Sequence, residues 1–253
     1  MAEVVSENGG GRARLTRERV IQAALAVADS GGLGSLTIRS LAKELGTKPM
    51  SVYYHVANKD EILTALVDIV FSEIQLPVPG GDWRSEMHKR ACSAREVLGR
   101  HRWAIGLLES RTDPGPANLR HHDTVIATLQ AAGFSAELTA HAYALIDSHV
   151  YGSALQEAAL PFQGPDHDGD VVESIVKRMT EGEYPHLVHM ATSYYLQPGY
   201  DFGDEFGFGL DLILDGIERM RARDEAERPT FGAPQRSHEG EELRAATAAD
   251  DDG

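Results

Sequence analysis

The segment Leu36–Val56 places the tightest constraint on what this chain can become. It reads Leu-Thr-Ile-Arg-Ser-Leu-Ala-Lys-Glu-Leu-Gly-Thr-Lys-Pro-Met-Ser-Val-Tyr-Tyr-His-Val. Ile38, Leu41, Ala42 and Leu45 recur at helical spacing, and Thr37 stands where a side-chain oxygen caps the first turn. Gly46 follows the last apolar residue, at the point where a helix commonly ends in a left-handed conformation. Pro49 can open a second helix, since its missing N–H is no loss in a first turn. That second helix turns Val52 and Val56 inward and presents Met50, Ser51, Tyr53, Tyr54 and His55 elsewhere. The layout is that of a helix-turn-helix, whose second helix enters the DNA major groove.

The overall charge of −15 conflicts with a DNA-binding role only if charge is spread evenly. Between Arg12 and Lys59 there are eight basic residues against three acidic ones, a local balance of +5, so the remainder carries about −20. A basic module on an acidic body can engage phosphates while the body repels non-specific nucleic acid. The single cysteine, Cys92, rules out an internal disulfide and fits a reducing compartment. No apolar run approaches the roughly 18 residues of a membrane span, and the first residues lack the apolar core of a signal peptide. A cytoplasmic protein without membrane contact is therefore expected.

Along the chain, residues 1–13 read as a disordered basic arm and 14–76 as the helix-turn-helix domain. Its first helix opens at Thr16 and ends at Asp29–Gly34. A later one is launched by Asn58-Lys59-Asp60-Glu61, an N-cap with an acidic residue three places on, and runs to about Ile74. Pro77–Gly81 breaks the chain. The second domain is expected over 77–223, and from Asp82 to about Arg223 every informative segment reads helical. Helices are expected from Asp82-Trp83, around Trp103–Leu108, over Asn118–Ala132 with Val125, Ile126 and Leu129 inward, and from the cap Ser135. Leu138, Ala142, Leu145, Ile146, His149, Gly152 and Leu155 mark the inner stripe of that last one. A Pro/Gly-bearing loop falls at Pro161–Gly169, weaker helices around Val171–Thr180 and Tyr184–Leu196, and a final helix from about Phe202. Residues 224–253 form an acidic tail expected to be disordered. No β alternation and no repeat is visible, so the fold class is all-α: a helix-turn-helix domain followed by a larger helical bundle.

Leu36–Leu45, Tyr53-Tyr54-His55-Val56 and Asn58-Lys59, behind an amphipathic helix that ends in a glycine pair, resemble the DNA-binding domain of tetracycline-repressor (TetR) family transcription regulators. The similarity spans about Leu15–Leu66. Far downstream, Glu205–Glu218 is similar to the last helix of the tetracycline repressor branch, and Ser135–Ala158 to the helix it pairs with across a twofold axis. The resemblance implies a homodimer joined through Leu145, Gly152, Phe206, Leu210, Leu214 and Ile217. It also implies operator contacts from Thr37, Arg39, Lys48, Pro49, Met50, Ser51, Tyr53, Tyr54, His55 and Lys59. Arg39 can fork onto guanine or hold phosphate, and Lys59 joins its ammonium to a helix N-terminus. Pro49 and Met50 offer only apolar contact, such as to a thymine methyl.

Eleven histidines invite a metal or catalytic reading, yet none has a paired zinc-motif spacing with a general-base glutamate, and no nucleophile–base pair or phosphate loop is present. Gln156 falls where the drug-chelating branch would place a glutamate, so no metal or cofactor is expected. His122 and His149 lie on apolar stripes, where a buried imidazole needs a hydrogen-bonding partner from protein or ligand. With Trp103, Tyr143 and Tyr151 they form the candidate set for a small-molecule effector. The expected function is a ligand-responsive bacterial transcription regulator, a dimeric repressor released from a palindromic operator by its effector. The alternatives are an interaction protein that kept the fold but lost operator binding, and a helical enzyme; no catalytic residue is assigned.

Overall fold

A computed structural model describes residues 14–108, 110, 112–160, 174, 177–179, 182 and 184–227. The expected loop at 161–169, six of the ten residues of the helix expected around 171–180, and the terminal segments 1–13 and 228–253 lie outside the described residues. Among the described residues the regular structure is helical. Helix α1 covers Arg17–Ser35, with Thr16 as N-cap. Rather than ending at the glycine cluster, it bends at Gly32, whose φ of 69° only glycine adopts cheaply, and resumes for a last turn.

Helix α2 spans Ile38–Glu44. Thr37 Oγ accepts from the N–H of Ser40, and Ser40 Oγ accepts in return from the N–H of Thr37. Both bonds satisfy amides that a helix start leaves unpaired. Gly46 takes the left-handed conformation, φ 61°, and turns the chain into α3, Pro49–Tyr53. Val52 and Val56 are buried as their spacing requires. Helix α4, Lys59–Glu73, starts at Asn58, whose Oδ1 accepts from Glu61 N–H at 2.8 Å. Glu61 completes the cap one residue early, accepting from the N–H of Ala57 and binding Arg17 of α1.

The body begins with α5, Trp83–Arg100, capped by Asp82. The helix expected around Trp103–Leu108 is only a 3-10 turn, Arg102–Ala104, followed by turns. Helix α6 spans Pro116–Ala131 and ends before Gly133, φ 86°. Helix α7 spans Ala136–Ala159 behind the Ser135 cap. Helix α8, Pro185–Met190, runs into a wide turn of π type at Ala191–Tyr195, and α9 covers Phe202–Glu227. Among the described residues no helix is long and apolar enough to cross a membrane.

Two apolar cores result, and α4 serves both. Its Ile62, Leu63 and Leu66 join α1–α3, while Val67, Val70 and Phe71, with Ile74 just past its end, join α5, α6, α7 and α9. A helix boundary near residue 76 therefore does not coincide with the boundary between cores. Ile126, expected inward, is exposed, because the stripe of α6 that faces the body runs through Asn118, His121, Val125 and Leu129.

Candidate functional site

The helix-turn-helix exposes what a groove reader needs. Met50 is 69% and Tyr54 85% exposed, large values for side chains with so much apolar surface. Tyr53, Thr37, Arg39, Lys48, Pro49 and Lys59 are exposed with them, and Ser51 and His55 are half-buried. Tyr54 is the residue at which α3 stops, so the second helix is one turn shorter than Tyr53-Tyr54-His55-Val56 implied. Thr37 spends its hydroxyl on the α2 cap. Arg17, by contrast, is committed to Glu61 at 3.0 Å and serves to hold the start of α1 against α4.

Two polar devices tie this module to the body. Asp68, on α4, accepts from the N–H groups of both Ala117 and Asn118, at 2.8 and 2.9 Å. It is the N-terminal cap of α6 supplied from another helix, at the end where the backbone dipole favours an anion. Gly115 makes the approach possible: a Cβ there would lie 2.3 Å from the Asp68 carboxylate. On the other side, Asp29 of α1 meets His101 Nδ1 at 2.7 Å and accepts from Trp103 Nε1 at 2.7 Å. His101 Nε2 lies 3.2 Å from Glu73, which also binds Arg100 at 2.8 Å. Burial opposes ionisation of Glu73, but Arg100 and His101 outweigh it and hold its carboxyl below the ordinary range. Trp103, expected among the effector residues, instead lies between the two cores and touches both.

The interior of the body carries a charged cluster that patterning did not single out. Arg90 of α5 is 1% exposed. Its Nη1 donates to Asp147 of α7 in a short contact, and its Nε and Nη2 point at His121 Nε2, 3.1 and 2.9 Å away. Burial opposes the charge on Arg90, but the Asp147 carboxylate outweighs it and holds its pKa above the ordinary value. His121 is driven the other way, to about 3, first by burial and then by the charge of Arg90. Tyr151 Oη donates weakly to Asp147 at 3.5 Å, and Tyr143 pairs closely with His122 Nδ1. His122, Tyr143 and Tyr151 are thus gathered around this cluster.

His149 does not join them. It stacks on Phe206 with ring centres 5.0 Å apart, and its Nε2 lies 2.9 Å from the Phe206 carbonyl oxygen. Gly209 makes room for that ring, since a Cβ there would come within 2.5 Å of it. His149 thus packs α7 against α9. Arg90 and Asp147 carried a signal in hindsight: each interrupts an apolar stripe, between Met87 and Ala94 and between Ile146 and Val150.

The residues expected at a dimer seam divide. Phe206, Leu210, Leu214 and Ile217 are buried within the protomer, where α9 packs on the body. A side chain already enclosed by its own chain has no area left for a partner, so the seam cannot be built from these four. Leu145 is exposed, as are Leu155 of α7 and Phe208 and Leu212 of α9. Gly152 lines a shallow groove of about 330 Å³ between α7 and α9. Among the described residues no group of three or more His, Cys, Asp or Glu is placed to hold a metal ion.

Comparison with known proteins agrees with this arrangement. Residues 20–66 match the bacterial regulatory proteins of the tetR family, and residues 76–221 match the tetracyclin repressor-like C-terminal domain. The HTH-type transcriptional repressor DrrR1 of Streptomyces coeruleorubidus is 32% identical over 223 residues, covering 85% of this chain and 81% of the relative. Tetracycline repressor protein class C of Escherichia coli is 29% identical over 211 residues, covering 82% and 93%. Among solved structures, ActR of Streptomyces coelicolor in complex with actinorhodin aligns with a TM-score of 0.67 at 29% identity, over 83% of this chain and 99% of that one. A TetR variant of Acinetobacter baumannii in complex with minocycline aligns with a TM-score of 0.57 at 27% identity, over 82% and 99%. With both halves matched in order and the second match covering more than half its length, the chain belongs to the TetR family of bacterial transcription regulators.

Proposed function

We propose that this protein is a dimeric repressor that holds operator DNA through the α2–α3 face and releases it when a small molecule binds inside the helical body. The observation that carries this reading is the double duty of α4. One half of the helix is core to the DNA-reading module and the other half is core to the body, and Asp68 locks it to the start of α6. A ligand that displaces α6 therefore displaces α4, and with it the aim of α3. Release requires that the ligand bind the displaced arrangement more tightly than the DNA-bound one. The two alternatives weighed from sequence, an interaction protein and a helical enzyme, give no reason for an exposed Met50–Tyr54 face beside Arg39, Lys48 and Lys59.

The dimer is proposed to form through the faces of α7 and α9 left open by the body, with Leu145, Leu155, Phe208 and Leu212 at the seam. Twofold symmetry then sets two α3 helices toward a palindromic site. The test is retardation of the DNA just upstream of the protein's own gene. Tyr54→Ala and Lys59→Ala are each expected to weaken binding about tenfold or more while leaving the dimer folded, and Lys59→Ala to reduce the salt slope by about one per protomer. Unchanged binding by both would remove this contact face. No preference over random DNA would favour the interaction-protein alternative.

A chemical substitution in the DNA checks the donor-poor turn. Replacing the thymines of a half-site one at a time by uracil deletes a single methyl group. At the base facing Met50 the loss is expected to be about fourfold, the worth of one buried methyl. Met50→Ala is expected to flatten that response. A response unchanged by Met50→Ala would place Met50 outside the groove.

A further inference from the structure

The buried cluster has one polar atom that the fold leaves unmet, and its chemistry can be worked out. Every nitrogen of a guanidinium is a donor, so His121 Nε2, facing two nitrogens of Arg90, must present its lone pair. The ring is neutral at physiological pH. A neutral imidazole that accepts at Nε2 carries its proton on Nδ1. His121 is fully buried, and Nδ1 has no hydrogen-bond partner among the described residues. Thr139 Oγ1 is the other such atom, but a hydroxyl can turn either to donate or to accept, whereas the His121 N–H can only donate.

An unmet buried donor carries its full desolvation cost, and native interiors keep few of them. The ring lies beside Phe71 and His122, with centres 5.2 and 5.8 Å away, so its immediate neighbours include two aromatic rings. The neighbouring charges cancel, Arg90 against Asp147. We infer that His121 Nδ1–H is a ligand-reading donor, and that the group it reads is an uncharged hydrogen-bond acceptor on an aromatic or conjugated ring, such as a ring carbonyl. A ligand offering only donors at this point would set N–H against N–H. A cationic one would meet Arg90 without a spare carboxylate. This inference rests on the reading of the body as the effector-binding part, and it names the functional group that part recognises.

The test uses the full-length protein. A long-range proton–nitrogen correlation on ¹⁵N-labelled protein, with His121 identified by the signal missing from His121→Gln, is expected to show the Nδ1–H tautomer at neutral pH. An Nε2–H tautomer or an imidazolium would overturn the assignment. Fluorenone and fluorene are then compared as probes, since they differ at a ring carbonyl and neither is charged. Fluorenone is expected to bind about fivefold to tenfold more tightly, the worth of one neutral hydrogen bond, and to shift the Nδ1–H resonance. His121→Phe is expected to erase the preference. His121→Gln, whose amide can both accept from Arg90 and donate to the probe, is expected to restore it.

Equal affinity for the two probes, binding of neither, or a preference that survives His121→Phe would overturn the inference. Should His121→Phe fail to fold, the resonance shift in the unmodified protein decides in its place. Operator retardation on the same samples separates the two levels. Carbonyl preference in a protein that ignores operator DNA keeps the site and removes the repressor reading. Operator release without His121 dependence does the reverse.

Discussion

Arg90→Ala is expected to lower the unfolding free energy by about 3–5 kcal/mol and the melting temperature by about 10 °C. The cost does not measure the strength of the ion pair. Removing the guanidinium leaves the Asp147 carboxylate buried with, among the described residues, only the weak Tyr151 contact, and takes from His121 the two donors that Nε2 accepts. A buried charge without its partner is far more costly than the pair is stabilising. The double variant Arg90→Met, Asp147→Leu removes both charges and keeps the volume, and is expected to recover most of the lost stability. Thermal unfolding of the three proteins checks this. A double variant as unstable as Arg90→Ala would mean that the cluster contributes through attraction and not merely through charge balance.

Acid is expected to destabilise the protein well above the pH at which carboxylates titrate. His121 binds its proton at about 3 in the folded chain against an ordinary value of 6.5. Between those limits the unfolded chain takes up a proton that the folded one refuses, so stability falls as pH falls. The full separation corresponds to an upper bound of about 5 kcal/mol. Burial explains the sign first, and the groups facing the ring add to it: Arg90 from α5 and His122 beside it on α6 both disfavour a second positive charge, and Asp147 from α7 is already engaged by Arg90. Glu73 and Glu218, held below the ordinary range by basic neighbours, lose stability in the same direction, but only as pH falls below about 4.5. The window from pH 6.5 to 4.5 therefore isolates histidine. Melting temperatures measured across it should drop in the unmodified protein and drop less in His121→Gln. Parallel curves would assign the acid response to other groups.

Local rules carried the reading of the helix-turn-helix a long way. Thr37, Gly46, Pro49, Asn58 and Ser135 stand at the caps and turns their chemistry demands, because capping depends on atoms three or four residues apart. The family was legible for the same reason, through short motifs in a set order. Errors arose where a residue's fate depends on which helix lies opposite. Trp103–Leu108 is apolar enough for a helix but is spent bridging two cores. His149 sits on an apolar stripe, yet α9 claims it through Phe206. Phe206, Leu210, Leu214 and Ile217 have the spacing of a seam and are consumed within the protomer.

By itself, the sequence determined an all-α chain, the capped helix-turn-helix with its basic balance of +5, and the membership that those motifs carry. Only the tertiary structure decided that Asp68 caps a helix some fifty residues away, that α4 belongs to both cores, and that Arg90, Asp147 and His121 meet. The physical reason is range. Helix periodicity and capping act over a turn or two of backbone and leave their pattern in adjacent letters. A buried charge, a shared helix and an unmet donor are defined by groups that approach only when distant helices pack, and no spacing rule encodes that approach.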